Sequence, residues 1–72
     1  MTKRYRLWVQ QPDGGEDRVG NRAGYKTESD AFRQAESIAK QTGHVVGVGL
    51  FDVFEGEWDC REVLGFVDAT DQ

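Results

Sequence analysis

Apolar and polar residues alternate along residues 4–10, which predicts a β-strand. Tyr5, Leu7 and Val9 fall on one side of the extended chain, and Trp8 falls on the other side with the polar residues. This period of two is typical of a strand that buries one face.

A turn and a second strand follow this segment. Pro-Asp-Gly-Gly at residues 12–15 predicts a turn, because proline fixes φ and glycine accepts positive φ. A strand is expected within residues 16–22, where Val19 is the only large apolar residue. The pattern therefore allows a sheet of either three or four strands.

One helix is predicted between Thr27 and Gly43. Thr27 is a suitable N-cap, and the acids Glu28 and Asp30 favour the first turn of a helix. Gly43 is typical of a helix end. The apolar residues recur at helical spacing and form one stripe, rich in alanine: Ala31, Phe32, Ala35, Ile38 and Ala39.

Two further strands are predicted at residues 45–54 and 58–67. A three-residue loop between them would place Phe54 opposite Trp58, with both rings on the face that the helix covers. The even-numbered apolar residues would form that covered face: Val46, Val48, Leu50, Phe54, Trp58, Cys60, Leu64 and Phe66.

The other face of this sheet would meet solvent or a partner, because one helix covers only one side. Its large apolar residues exceed what scattered surface exposure explains, and they predict a contact face or a two-fold homodimer. Gly47 and Gly49 would let a neighbouring group approach the strand closely. The predicted contact residues are Trp8, Phe51, Val53 and Val63; Asp59, Arg61 and Val67 are expected on the same face.

These elements predict an α+β fold: a small antiparallel sheet, in ββαββ or βαββ order, with one α-helix on one face. The 72 residues suffice for a single compact domain, with a frayed tail at residues 68–72. The chain has no apolar segment near the ~20 residues that span a bilayer. A cytoplasmic protein is expected, in the host cell if a phage encodes it.

Charge is distributed unevenly along the chain. Residues 44–72 carry seven acids and one base, Arg61, whereas the first ten residues carry three bases and no acid. The acids around the predicted β-turn form either a solvated, solubilising hairpin or, with the tryptophan among them, a surface for a basic protein partner. We call Asp52, Glu55, Glu57 and Asp59 the acidic hairpin, and Trp58 completes the predicted partner-binding set.

Residues that carry catalysis or bind metals are scarce. His44 and Cys60 are the only histidine and cysteine, so one chain cannot assemble a zinc site of that type. The acids lack the spacing of a calcium loop. We expect no enzyme activity, metal or cofactor.

The basic residues allow an alternative function. Bases interleaved with an aromatic residue suit phosphate contacts and base stacking, although the formal net charge of −4 disfavours nucleic acid. The set comprises Arg4, Arg6, Trp8, Arg18, Arg22 and Lys26. The segment 4–9, the Pro-Asp-Gly turn, and residues 24–27 followed by Asp30-Ala31 resemble the arm-binding domains of phage integrases. That resemblance implies a nucleic-acid-binding module.

The whole outline is also similar to small phage-borne anti-CRISPR proteins. The matching segments run from Thr27 to Ala39 and from Phe54 to Trp58. This resemblance implies a non-enzymatic inhibitor, encoded by a phage or another mobile element, that binds a CRISPR effector subunit. Its target would be a nucleic-acid-handling defence complex of the host, blocked at its basic channel or in its assembly.

Overall fold

The computed structural model describes residues 2–11 and 13–68. Within them the chain forms a four-stranded antiparallel sheet and one helix in the order ββαββ, so the predicted α+β fold is confirmed. The strands are adjacent in the order β2-β1-β3-β4. The elements are β1 (Thr2–Gln10), β2 (Glu16–Val19), α1 (Glu28–Thr42), β3 (Val46–Phe54) and β4 (Glu57–Val67). Pro12 of the predicted turn and residues 69–72 of the predicted tail lie outside the described residues.

Helix α1 begins and ends where the sequence predicts. The Thr27 hydroxyl accepts a hydrogen bond from the Asp30 amide at 3.2 Å, which satisfies one of the free amides of the first turn. Gly43 adopts the left-handed conformation, and its N–H donates to the Ala39 carbonyl at 2.8 Å.

The hydrophobic core lies between α1 and strands β1 and β3. The fully buried residues of the helix are all small, Ala31, Ala35 and Ala39, and the partly buried Phe32 and Ile38 pack against the same core. Larger side chains of the two central strands fill the space under the helix: Leu7, Val9, Val46 and Val48. This is the packing that the alanine-rich stripe predicts, and it fixes which side of the sheet the helix covers.

The hairpin between β3 and β4 is tighter than predicted. Phe54 pairs with Glu57, so only Glu55 and Gly56 form the turn and the predicted three-residue loop is wrong. Both turn residues have positive φ, 52° and 83°, as a two-residue hairpin turn of primed type requires. The shorter turn places Trp58 opposite Val53, on the side of the sheet away from the helix.

Two irregularities then change the register along β4. Partners shift between Leu50 and Phe51 and again between Val48 and Gly49, which leaves Arg61 and Leu64 as the extra residues of two β-bulges. After each bulge, the side chains of odd-numbered and even-numbered β4 residues change sides of the sheet. The uncovered side of β4 is therefore formed by Trp58 and Cys60, then by Val63, and then by Phe66.

The prediction of which β4 residues cover the helix is corrected accordingly. Trp58, Cys60 and Phe66 pair with odd-numbered residues of β3 and share the uncovered side with them. Conversely, Val67 packs against the core, and Asp59 lies opposite Asp52. Two further predictions of burial are wrong, since Cys60 is exposed and Phe54 is 58% exposed. Arg61, predicted on the uncovered face, instead donates a hydrogen bond to Asp52.

Candidate functional site

The sheet side away from α1, which we call the open face, carries four aromatic rings in contact. Three ring pairs meet edge to face: Trp8 with Phe51 at 6.4 Å between centroids, Trp8 with Phe66 at 6.2 Å, and Phe51 with Trp58 at 6.1 Å. Such perpendicular arrangements are favoured between aromatic side chains. We call Trp8, Phe51, Trp58 and Phe66 the aromatic layer.

Two glycines of β3 let Trp8 lie directly on the sheet. A Cβ atom at Gly47 would overlap the Trp8 indole, and one at Gly49 would lie 2.9 Å from its Cζ3 atom. The expected close approach to these glycines is therefore confirmed, and the approaching group is the Trp8 ring of the neighbouring strand. The Trp8 indole therefore occupies the space that side chains at positions 47 and 49 would fill.

Arg6 is a buried charged residue on the open face. It is 8% exposed, and its guanidinium carbon lies 3.9 Å from the centroid of the Trp58 ring, a cation–π contact. Burial lowers the pKa of the Arg6 guanidinium from its usual value, and the positive charge of Arg18 lowers it further. Among the described residues, no group accepts a hydrogen bond from the buried Nη1 of Arg6 or from the buried indole nitrogen of Trp8.

Two adjoining concavities share Arg6 and Arg18. The first, the arginine cavity, has a volume of about 380 Å³. Its lining consists of Arg6, Arg18, Val19, Gly20, Asn21 and Arg22. The second, the aromatic cavity, measures about 270 Å³ and is lined by Arg6, Leu7, Trp8, Glu16, Arg18 and Phe51. Positive charge and aromatic surface therefore meet at one end of the open face.

The predicted contact residues lie together on the open face. Trp8 and Phe51 belong to the aromatic layer. Val53 pairs with Trp58, and Val63 pairs with Gly49, so both valines share this side of the sheet. Val63 and Phe66 are 51% and 53% exposed. The open face therefore presents apolar side chains beside its half-buried rings.

The predicted partner-binding set is divided between the two sides of the sheet. Trp58 joins the aromatic layer, whereas Asp52 and Asp59 pair with each other across the strands on the other side. Asp52 accepts a hydrogen bond from Arg61 at 3.1 Å. Glu55 and Glu57 are exposed at the turn, and within the described chain neither they nor Asp59 form an ion pair. The tip of the acidic hairpin thus carries negative charges that no basic side chain of the described chain pairs with.

The sequence places Arg6 in the basic set that would contact nucleic acid, but it does not predict that Arg6 is buried. Arg6 stacks on Trp58, which is distant in sequence. Phe66, predicted on the covered face, reaches Trp8 because two bulges change the register of β4. The interleaving of bases with Trp8 was the sequence signal for Arg6.

Among residues 2–11 and 13–68, no group of three or more His, Cys, Asp and Glu side chains could hold a metal ion. Cys60 is an exposed free thiol, and His44 is exposed. In the described part of the chain, no helix is both long and apolar enough to cross a membrane.

Comparisons with protein-family models, with curated proteins and with solved structures find no match for this chain. The two resemblances drawn from the sequence therefore stay predictions.

Proposed function

We propose that this chain is a non-enzymatic protein-binding inhibitor, encoded by a phage or another mobile element. Its target would be a nucleic-acid-handling defence complex in the host cytoplasm, such as a CRISPR effector. The observation that carries this proposal is the aromatic layer, together with Arg6, on a sheet face that no element of the described chain covers. Tryptophan and arginine dominate the residues that contribute most to protein–protein binding.

The layout of the open face suits the centre of a protein interface. Aromatic residues and arginine are enriched in interface centres, and a polar rim surrounds them. Here the half-buried rings are already held in place by one another and by the sheet, so docking orders few side chains. Such preorganisation reduces the entropy cost of binding.

Glu55, at the turn of the acidic hairpin, supplies negative charge beside this centre, whereas Asp52 and Asp59 lie on the other side of the sheet. The turn, Glu55-Gly56, adjoins the cross-strand pair Val53–Trp58 of the open face. Effectors of the CRISPR type hold nucleic acid in positively charged channels. Uncompensated carboxylates at the edge of the interface would attract such a surface and accelerate association.

The experiment is a cleavage assay with reconstituted CRISPR effector complexes of different types. We expect the chain to inhibit one of them at near-stoichiometric concentration. The double variant Val63→Glu/Phe66→Glu places charges among exposed residues of the open face and should abolish inhibition. Ser37→Glu, on the exposed side of α1, is the control and should leave it intact.

A triple variant tests the contribution of the hairpin separately. Glu55→Gln/Glu57→Gln/Asp59→Asn should slow association and weaken its salt dependence without unfolding the protein, because these carboxylates are exposed. Inhibition equal to that of the unmodified chain would remove the acidic hairpin from the mechanism. Full inhibition by the Val63→Glu/Phe66→Glu variant would refute the open face as the docking surface.

A further inference from the structure

We propose that the arginine cavity binds the phosphate group of a nucleotide and that the adjoining aromatic cavity binds its base. This assignment concerns the end of the open face formed by β1 and β2 and does not depend on the inhibitor function. The ligand is a nucleotide unit, either free or within a single strand of nucleic acid.

Arg6 has a buried hydrogen-bond donor that lacks an acceptor in the described part of the chain. Buried polar groups in proteins almost always have a hydrogen-bond partner, and a lone buried donor is destabilising. Arg6 is more than nine-tenths buried, borders both cavities, and its Nη1 has no acceptor among the described residues. The Arg6 guanidinium is thus held in the wall that the two cavities share, where its positive charge acts on a ligand although Nη1 itself has almost no accessible surface.

The arginine cavity is positively charged. Three arginines line the arginine cavity, and within the described chain its lining includes no carboxylate. Arg18 lowers the pKa of Arg6, so the two positive charges are close enough to repel each other. A phosphate group carries up to two negative charges and several acceptor oxygens, and it matches the planar donors of guanidinium groups better than a single carboxylate does.

The arginine cavity and the aromatic cavity lie side by side and have two lining residues in common. Arg6 and Arg18 border both, so a ligand whose phosphate contacts them has its remaining atoms beside Trp8 and Phe51. Bases stack on aromatic side chains with little dependence on sequence. Glu16 is the one carboxylate of the described chain that lines either cavity, and it borders the aromatic cavity only.

The test is calorimetric titration at low salt with four probes: inorganic phosphate, AMP, a short oligo-dT strand and an acidic peptide. We expect AMP to bind more tightly than phosphate and to quench tryptophan fluorescence. The variant Arg18→Gln/Arg22→Gln should weaken AMP binding roughly tenfold or more. Arg33→Gln/Lys40→Gln removes the same charge from the exposed side of α1, and it should bind AMP like the unmodified protein.

The probes also identify the source of the nucleotide. Binding of AMP alone indicates a free nucleotide, and tighter binding of oligo-dT indicates a strand; both support the site. Absence of binding by AMP and oligo-dT would overturn the proposal, as would equal weakening by the control variant. Tighter binding of an acidic peptide than of AMP would assign the cavity to a protein partner instead. Equal affinities for AMP and phosphate would refute the base position.

Discussion

Arg6 combines burial, positive charge and an unsatisfied donor in one side chain. Its contact with Trp58 offsets part of the desolvation, since a desolvated cation–π contact contributes about 2 kcal/mol or more. Replacing buried charged groups with apolar residues of similar volume often leaves a fold equally or more stable. Residues that lower the stability of a fold are frequent at functional sites.

The first prediction is that Arg6→Met preserves or raises the thermal stability of the free protein. Methionine fills the space of the arginine stem and needs no hydrogen-bond acceptor. Phosphate or AMP should raise the melting temperature of the unmodified protein, because a ligand that binds only the folded state stabilises it. The same ligands should leave the melting temperature of the variant unchanged in differential scanning calorimetry.

Arg6→Lys is the matched control, because it keeps the charge but lacks the planar guanidinium. We expect it to bind AMP more weakly than the unmodified protein and more strongly than Arg6→Met. A large loss of stability in Arg6→Met would contradict the prediction and assign Arg6 a structural role.

The second prediction concerns the contact between Gly47 and Trp8. Gly47→Ala should destabilise the fold by about 1–3 kcal/mol, because the added methyl group overlaps an indole that rests on the strand. Urea denaturation measures the change. Gly65→Ala is the control on the adjacent strand, where the nearest atom to a new Cβ is 3.8 Å away. Equal effects of the two changes would show that loss of glycine, rather than overlap with Trp8, is responsible.

At the scale of elements, the sequence predicts the helix and the central strands well. The signals for α1 are local: a capping threonine, an alanine stripe and a terminal glycine. The face of β1 also follows from its alternation alone, so Leu7 and Val9 are correctly predicted in the core. These elements need no knowledge of distant residues.

Strand β4 could not be predicted in the same way. Its faces depend on a turn of two residues and on two bulges. Gly65 beside Leu64 is a local signal for one bulge, because glycine inside a strand often marks one, but it does not say which residues pair. The turn residue Glu55 has positive φ, which is uncommon for a residue other than glycine, asparagine or aspartate. Trp58 and Phe66 were therefore predicted on the covered side, and half of the aromatic layer was missed.

The third prediction uses the strain of this turn. Glu55→Asn should stabilise the protein by about 0.5–1 kcal/mol, because Asn-Gly is the favoured pair for this type of turn. Glu57→Asn makes the same chemical change at the first residue of β4, where no positive φ is required, and should not stabilise. Chemical denaturation of both variants measures the difference. Equal stabilisation of both would point to relief of charge repulsion instead.

At the scale of the whole molecule, the two ends of the open face differ in charge. Arginines gather beside β2, and carboxylates gather around the β3–β4 turn. The formal net charge of −4 hides this separation. The open face therefore offers an anion site beside β2, while the acids lie at the β3–β4 turn and, as Asp52 and Asp59, on the opposite side of the sheet.

The last prediction is that the free protein associates with itself through the open face. A second copy can cover Val63 and Phe66, which are about half exposed. Burial of roughly 400 Å² of apolar surface would contribute about 10 kcal/mol before the costs of association, at ~25 cal/mol per Å². A two-fold arrangement would also place the acidic end of one copy near the basic end of the other when the copies lie antiparallel. Sedimentation velocity at micromolar concentration should show a monomer–dimer equilibrium.

The variants of the inhibition assay test this interface as well. Val63→Glu/Phe66→Glu should sediment as a monomer near 8.1 kDa, because like charges then face each other across the two-fold axis, whereas Ser37→Glu should behave like the unmodified protein. A target that binds the open face should compete with the dimer, so the inhibitory concentration should rise as the protein self-associates. A clean monomer at all concentrations would leave the open face to a different protein.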